Sequence, residues 1–249
     1  TTEVRIDPET NTLVREGVPS ILNPYDAHAA EAAVEIKERY GAHVTVVCMG
    51  PPQAIEVIRQ CISYGADRGI LISDRAFGGA DTLATAYALS TSIEKMGPVD
   101  LILCGKQAID GDTAQVGPGI AENLGMPQIT YAAKIEINGD TIKVDREHDD
   151  GYEIMETKLP VMVTVVKSIA EPRFPTVKGT MKANRTQIPV WTAADIAADE
   201  KRIGMPGSPT QVRRIFTPTQ RSQGQLIQEE TAQQSVAKLM QLLGDAKVI

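Results

Sequence analysis

A chain of 249 residues that is 42% apolar, with 25 Lys/Arg against 32 Asp/Glu and a net charge of -7, is long and apolar enough to bury a sizeable core, which excludes disorder, collagen and a disulfide scaffold. With 4% aromatics and an acidic balance, it is not expected to bind nucleic acid. The longest uninterrupted apolar stretches, Leu101 to Cys104 and Pro160 to Val166, fall far short of the roughly 18 residues of a membrane span, so no crossing of a bilayer is expected.

In chain order, the first clear element is a helix. Asn23 suits an N-cap and Pro24 a first helical position, and the helix is expected to run to Tyr40 and stop at Gly41. A strand follows at Val44 to Met49. Ile55, Ile58 and Ile62 then share a face in a helix that begins after Pro51-Pro52 and ends at Gly65. A strand at Gly69 to Ser73, a helix from Asp81 to Met96, a strand at Val99 to Cys104, a helix from about Asp112 to Leu124 and a strand at Ile129 to Ala133 complete the alternation. Such alternation specifies right-handed βαβ crossovers, and hence an α/β fold with a mainly parallel, Rossmann-like sheet and helices on both faces. Antiparallel structure comes next. Asn138-Gly139-Asp140 reads as the turn of a hairpin between Ile135–Ile137 and Thr141–Val144, with further strands at Ile154 to Lys158 and Pro160 to Val166. After about Glu171 the pattern dissolves into Pro, Gly and Thr until Leu226. There Leu226, Val236, Leu239, Met240 and Leu243 suggest a terminal amphipathic helix. The expected organisation is an α/β nucleotide-binding domain over 1–190, and a C-terminal arm over 191–249 that lies across a neighbour.

Charge is unevenly spread. Residues 1–170 carry 14 Lys/Arg and 25 Asp/Glu, whereas residues 171–221 carry 9 and 4, a basic segment that points to a protein partner or to docking on the chain's own acidic surface. Cys48, Cys61 and Cys104 lie far apart in apolar runs and read as reduced core thiols of a cytoplasmic protein. His28, His43 and His148 have no ligand spacing, so no metal is assigned. The start at Thr1-Thr2 shows no leader and leaves room for residues before it.

The sharpest local feature is Leu101 to Gly117, in the order buried strand, small-residue turn, helix start. That order puts free N–H groups and the positive end of a helix dipole at the carboxyl edge of a parallel sheet, where a phosphate fits. Equally, Gly105 and Gly111 can serve only a tight connection, and Asp112 or Thr113 only a cap. Neither GxxxxGK[ST] nor GxGxxG occurs. A second strand-to-helix loop, Ala76-Phe77-Gly78-Gly79-Ala80-Asp81-Thr82, offers either a ligand loop or simply Asp81 as N-cap. No Ser/His/Asp arrangement or other catalytic constellation is present, so catalytic side chains are not expected and a bound cofactor would carry any chemistry.

The segment Val144-Asp145-Arg146-Glu147-His148-Asp149-Asp150-Gly151-Tyr152-Glu153-Ile154, continued by Leu159 to Thr164, resembles the signature of electron transfer flavoprotein beta subunits. Asn23-Pro24-Tyr25-Asp26, Gly65-Ala66-Asp67-Arg68-Gly69, Gly105-Lys106-Gln107-Ala108-Ile109-Asp110 and Glu171-Pro172-Arg173-Phe174 match the family in the same order, across nearly the whole chain. The family usually has one more strand in front of the position of Thr1. The resemblance implies a heterodimer with a flavin-carrying alpha subunit. In ordinary members the beta subunit holds AMP; in electron-bifurcating members a second FAD takes that place and accepts hydride from NADH. Asp74 to Thr82, Asp110 to Pro118 and Gly207 to Val212 resemble the bifurcating branch, which favours FAD over AMP. The other flavin's electrons then go to an acyl-CoA dehydrogenase, and the low-potential ones to ferredoxin or flavodoxin.

By position, the resemblance implies that Asn23, Pro24, Tyr25, Asp26 and Met49 belong to the adenosine pocket. Gly105, Lys106, Gln107, Ala108, Ile109, Asp110, Gly111, Asp112, Thr113, Ala114, Gln115 and Val116 form the phosphate cradle, and Ala80, Asp81, Thr82 and Thr85 lie toward the flavin ring. Thr82 and Thr85, three residues apart, share a helical face. The partner-recognition segment is Glu171 to Met181. In it Val177 takes the place of an apolar anchor where the family commonly has Leu, framed by Arg173 and Lys178. Two alternatives stay open: a non-bifurcating beta subunit with structural AMP, and a nucleotide-hydrolysing enzyme of the same sheet class.

Overall fold

The computed structural model describes residues 21–210 and 224–248. These fall into two compact units, 21–210 and 224–248.

The first unit opens with helix α1, Pro24–Tyr40. Pro24 at the first position and Gly41, which donates to the Lys37 carbonyl from a left-handed φ of 73°, set its two ends. Strand β1 (Thr45–Met49) and helix α2 (Ile55–Tyr64) follow, the latter entered through a 3-10 turn at Pro52–Ala54. Then come β2 (Arg68–Ile72), α3 (Thr82–Met96), β3 (Leu101–Gly105) and α4 (Val116–Leu124). The next four strands are β4 (Gln128–Asn138), β5 (Thr141–His148), β6 (Gly151–Lys158) and β7 (Val161–Val165). Helix α5 (Val177–Arg185) and the short strand β8 (Val190–Trp191) complete this unit's elements.

The strands form two sheets. One is parallel, in the order β1-β2-β8; the other is mixed, in the order β3-β7-β4-β5-β6. In the second, β3 and β4 both run parallel to β7, and the β4-β5-β6 meander is antiparallel. The α/β class and the hairpin at Asn138–Thr141 are as the sequence predicts. Among the described residues β1 and β3 are each paired along one side only.

Side-chain alternation explains the helices on both faces. On one side of β2, Ile70 and Ile72 pack with Ala88 of α3 and with Ile196 and Ile203. On the other side Leu71 packs with Ile58 and Ile62 of α2 and Ala183 of α5. In the second sheet Ile129, Val161, Val163 and Val165 meet Ala29 of α1, while Ile102 faces Ala86 of α3 and Ile120 of α4.

Four expectations need correction. Helix α4 begins at Val116 rather than near Asp112, because Asp112 and Ala114 adopt left-handed φ values of 51° and 54°, which a helix cannot contain. The strand expected at Ile129 to Ala133 continues through the hairpin arm to Asn138 as one strand with a shifted register between Ala132 and Lys134. The stretch after Glu171, expected to be irregular, holds α5 and β8. Helix α5 is nine residues long and capped by Thr176, whose hydroxyl accepts from Gly179 N. Finally, Asn23 occupies the N-cap position of α1 but makes no side-chain cap bond.

The second unit contains α6 (Ala232–Asp245), entered through a capping box in which Thr231 and Gln234 exchange hydrogen bonds. Of the predicted apolar stripe, Val236, Leu239, Met240 and Leu243 lie in α6, and Leu226 precedes it. The predicted motif residues Gln211 and Val212 lie outside the described residues.

Gly69 makes the tightest helix-to-strand contact in the first sheet: a Cβ there would overlap the Ile58 side chain, which is fully buried. Gly69→Ala should destabilise the protein by about 1–3 kcal/mol through overpacking, read as a lower denaturation midpoint at unchanged slope. Unchanged stability would show that Ile58 has room to yield.

Candidate functional site

The N-terminus of α1 is pressed onto the carboxyl end of β3. An added Cβ at Gly105 would stand 2.6 Å from Tyr25 Cβ and 2.7 Å from Asp26 N, so only glycine permits this approach. Gly105 N donates to Asp26 Oδ1 at 2.7 Å, and Lys106 N to the Val165 carbonyl at 2.8 Å, carrying the β3–β7 ladder one residue further. Asn23, freed from capping, holds the loop beyond. Its amide donates to Asp26 Oδ2 (2.7 Å) and to the Gln107 carbonyl (2.9 Å), and its Oδ1 accepts from Ile109 N at 3.3 Å. Gln107 Nε2 donates to Asp112 Oδ1 at 2.7 Å, and Asp112 N to the Ala108 carbonyl at 3.0 Å, which closes the turn.

Residues 108–113 and Gln115 are exposed at the top of this loop, and a Cβ added at Gly111 would meet nothing. Gln115 stands at the N-cap of α4 without a side-chain cap bond, so the first-turn N–H groups of α4 have no side-chain acceptor there. Neither Asp112 nor Thr113 caps this helix. The neighbouring helix α3 is treated oppositely. Asp81 Oδ1 accepts from Leu83 N and Ala84 N at 3.0 and 3.1 Å, filling its N-terminus.

Three sequence motifs converge here. Thr82 Oγ1 donates to Gln115 Oε1 at 2.9 Å, joining α3 to the α4 entry. Asp81 N donates to Ser208 Oγ at 2.8 Å, and Thr210 N to Asp81 Oδ2 at 3.0 Å, joining α3 to the segment after β8. Of the other predicted residues, Pro24 is the first of α1, Ala80 is half-buried just before Asp81, and Val116 opens α4. Thr85 lies one turn into α3 and donates its N–H to the Asp81 carbonyl. Met49 ends β1 and packs against the core between β2 and α3. Ser208 was not singled out from the sequence by its chemistry; Gly207-Ser208-Pro209-Thr210 has only the composition of a turn.

The docking candidates separate. Val177 and Lys178 are exposed at the start of α5, with Val177 81% accessible. Arg173 is engaged inward. Its Nε donates to both carboxylate oxygens of the buried Glu31, at 2.8 and 3.0 Å, and its Nη1 and Nη2 reach Glu38 at 2.6 and 3.0 Å. Glu31 and Glu38 were not predicted. They are seven residues apart and so share a face of α1.

Burial pushes the Asp26 carboxyl up, against the lowering effect of the Gly105 and Asn23 hydrogen bonds. Burial also raises Asp81, but the N–H groups of Thr210, Ala84 and Leu83 together hold it below the usual carboxylate range. Cys48 is pushed up to about 11, and Cys61 and Cys104 to about 12, first by burial, so all three are thiols at neutral pH. Among the described residues no cluster of three potential metal ligands occurs, and no helix is long and apolar enough to cross a membrane.

The electron transfer flavoprotein domain model matches residues 10–196. Along its whole length the chain is 50% identical to the electron transfer flavoprotein subunit beta of Megasphaera elsdenii, covering 96% of that relative. It is 48% identical, again along its whole length, to the caffeyl-CoA reductase-Etf complex subunit CarD of Acetobacterium woodii, covering 95% of it. Over 94% of the chain it is 43% identical to the protein FixA of Bradyrhizobium diazoefficiens, covering 84% of it. The chain belongs to the electron transfer flavoprotein family, which is flavin-associated, and is a beta subunit, one half of a pair with an alpha subunit.

Asp26 gives a pH signature. Its folded pKa is raised, so the folded protein keeps this proton after the unfolded chain has lost it. Stability contributed at low pH is therefore lost as pH rises from the ordinary carboxylate range through the raised folded value. Asp26→Asn removes the titration, so stability relative to wild type should grow with pH across that window and level off above it. A difference that is flat with pH would refute the assignment.

Proposed function

We propose that this beta subunit, paired in the cytoplasm with its alpha subunit, holds FAD rather than AMP. NADH reduces that flavin, and the electrons are divided between the alpha-subunit FAD, serving an acyl-CoA dehydrogenase, and a low-potential acceptor such as ferredoxin or flavodoxin. The observation that carries this reading is the junction of α3 and α4. The open N-terminus of α4 offers backbone donors to a phosphate, and the Thr82–Gln115 bond sets the α3 hydroxyl face directly beside it. A ligand that reaches from the Asn23–Asp26 lock past α4 to α3 is a dinucleotide, whereas AMP would end at the phosphate loop.

The residues fit such a group. Asn23 and Asp26 fix the loop, its N–H groups and those of α4 receive the phosphates, and Thr82 and Thr85 face the ring. FAD supplies the redox chemistry; this chain orients it and sets its hydrogen bonds. The loop itself carries Lys106 against Asp110 and Asp112, so the attraction for phosphate comes from backbone donors rather than side-chain charge.

Nucleotides extracted from the intact heterodimer and counted test this directly. Two FAD per heterodimer are expected; one FAD with one AMP supports the non-bifurcating alternative. Gly111→Val sharpens the test, because no protein atom contests that position. Its side chain should lower nucleotide content by obstructing the ligand while leaving the unfolding midpoint near wild type. Full occupancy in the folded variant would move the phosphates elsewhere.

We also assign docking of the electron partner to Val177 and Lys178. An exposed apolar residue with a charged neighbour suits a contact that forms fast and releases. Val177→Asp should leave the heterodimer, its flavins and NADH reduction intact, and slow electron delivery to an acyl-CoA dehydrogenase about tenfold or more. Dissociation of the subunits, or unchanged delivery, would sink the assignment.

A further inference from the structure

The segment between β8 and residue 210 is bound at several points to the loop before α3 and to the start of that helix. Ala193 N donates to Asp74 Oδ2 at 3.1 Å, while Asp74 Oδ1 accepts from Ala76 N within its own loop. Met205 N donates to the Gly78 carbonyl at 3.2 Å. Ser208 Oγ accepts from Asp81 N and donates to the Gly204 carbonyl at 2.6 Å, and Thr210 N completes the contact on Asp81 Oδ2. Glycines allow the two backbones to touch. Gly79 at φ +71° lies under Met205, and Gly204 at φ +54° lies against the Ala76 carbonyl. Ser208 is 7% accessible.

This arrangement splits the Asp81 carboxylate between two tasks. One oxygen caps α3 and the other holds Thr210, so the carboxylate is committed within the protein and acts on a ligand only through what it positions. The contact lies at the α3 end of the site, and none of its bonds involves Asn23, Asp26 or the 105–113 loop.

We propose that the Asp81–Ser208–Thr210 latch is a specificity device: it seats residues 204–210 beside the N-terminus of α3 and thereby forms the end of the site that distinguishes FAD from AMP. Asp81 is then a positioning residue, and Ser208 its partner. The inference rests on the FAD reading above. It predicts an asymmetry, since loosening the latch should weaken the ligand that reaches α3 and spare the one that stops at α4.

The test uses the intact heterodimer freed of its beta-subunit nucleotide, with FAD and AMP as separate probes. Ser208→Ala removes the acceptor for Asp81 N and should weaken FAD about tenfold while AMP affinity stays at the wild-type value. Asp81→Asn is the second variant. Its carbonyl oxygen still caps α3, but its amide nitrogen cannot accept from Thr210 N, so FAD should weaken to a similar degree without loss of the fold. Equal weakening of FAD and AMP would show that the latch serves only the fold, and unchanged FAD affinity would show that it plays no part in the site; either overturns the inference. Failure of the FAD reading is visible separately, in the wild-type protein, as retention of AMP and no measurable FAD binding.

Discussion

The close approach of α1 to the end of β3 is the contact on which the rest of the site depends. Gly105 has no side chain because the backbone of Tyr25 and Asp26 occupies the space, and its N–H is taken by Asp26. With that N–H and the next one satisfied, the chain leaves the sheet at a fixed angle, and Asn23 can reach two further backbone groups of the loop. A carboxylate placed here is disfavoured by burial, which raises its pKa, yet its two hydrogen bonds define the loop's starting geometry. The site is thus built by anchoring backbone to helix rather than by gathering charged side chains, consistent with a ligand held by N–H groups on an acidic protein.

Helix α1 works at both ends. Its first turn holds the 105–109 loop, and about two and four turns from its start Glu31 and Glu38 hold Arg173. Glu31 is 3% accessible, so its charge is tolerable only because Arg173 N, Nε and Nη2 all reach it. The Arg173 fork fixes the segment that leads into α5, and α5 is fixed in turn by Gly179 against the Ser63 carbonyl and by Lys182 Nζ on the Ala66 carbonyl. Val177 is therefore presented from a rigid base. Arg173, which the family resemblance places among docking residues, belongs on this reading to the support of the docking surface.

The sequence made the alternation of strands and helices legible because apolar period and Gly or Pro punctuation agreed. It also made the strand–turn–helix order at 101–117 legible, as the proposed phosphate site requires. It hid α5, whose nine residues VKGTMKANR carry a glycine and four basic or amide side chains and sit behind two prolines, so that packing against α2 rather than propensity makes the helix. It hid the true start of α4, because left-handed conformations at Asp112 and Ala114 leave no mark in residues other than glycine. And it hid the Asp81–Ser208 and Arg173–Glu31 contacts, each joining positions more than 120 residues apart, which no local pattern encodes.

The Thr82–Gln115 bond limits how the α3 hydroxyls can address a flavin. A hydroxyl donates one hydrogen bond and accepts up to two. Thr82 spends its proton on Gln115 Oε1, so toward a ligand it is an acceptor and suits an N–H group. Thr85, one turn on, shares that helical face. An acceptor facing an N–H group that exists only after reduction favours the reduced ring, and a donor facing a nitrogen that is bare only before reduction favours the oxidised one. In the proposed FAD site Thr82 is thus limited to accepting, and Gln115, by holding its proton, sets that limit.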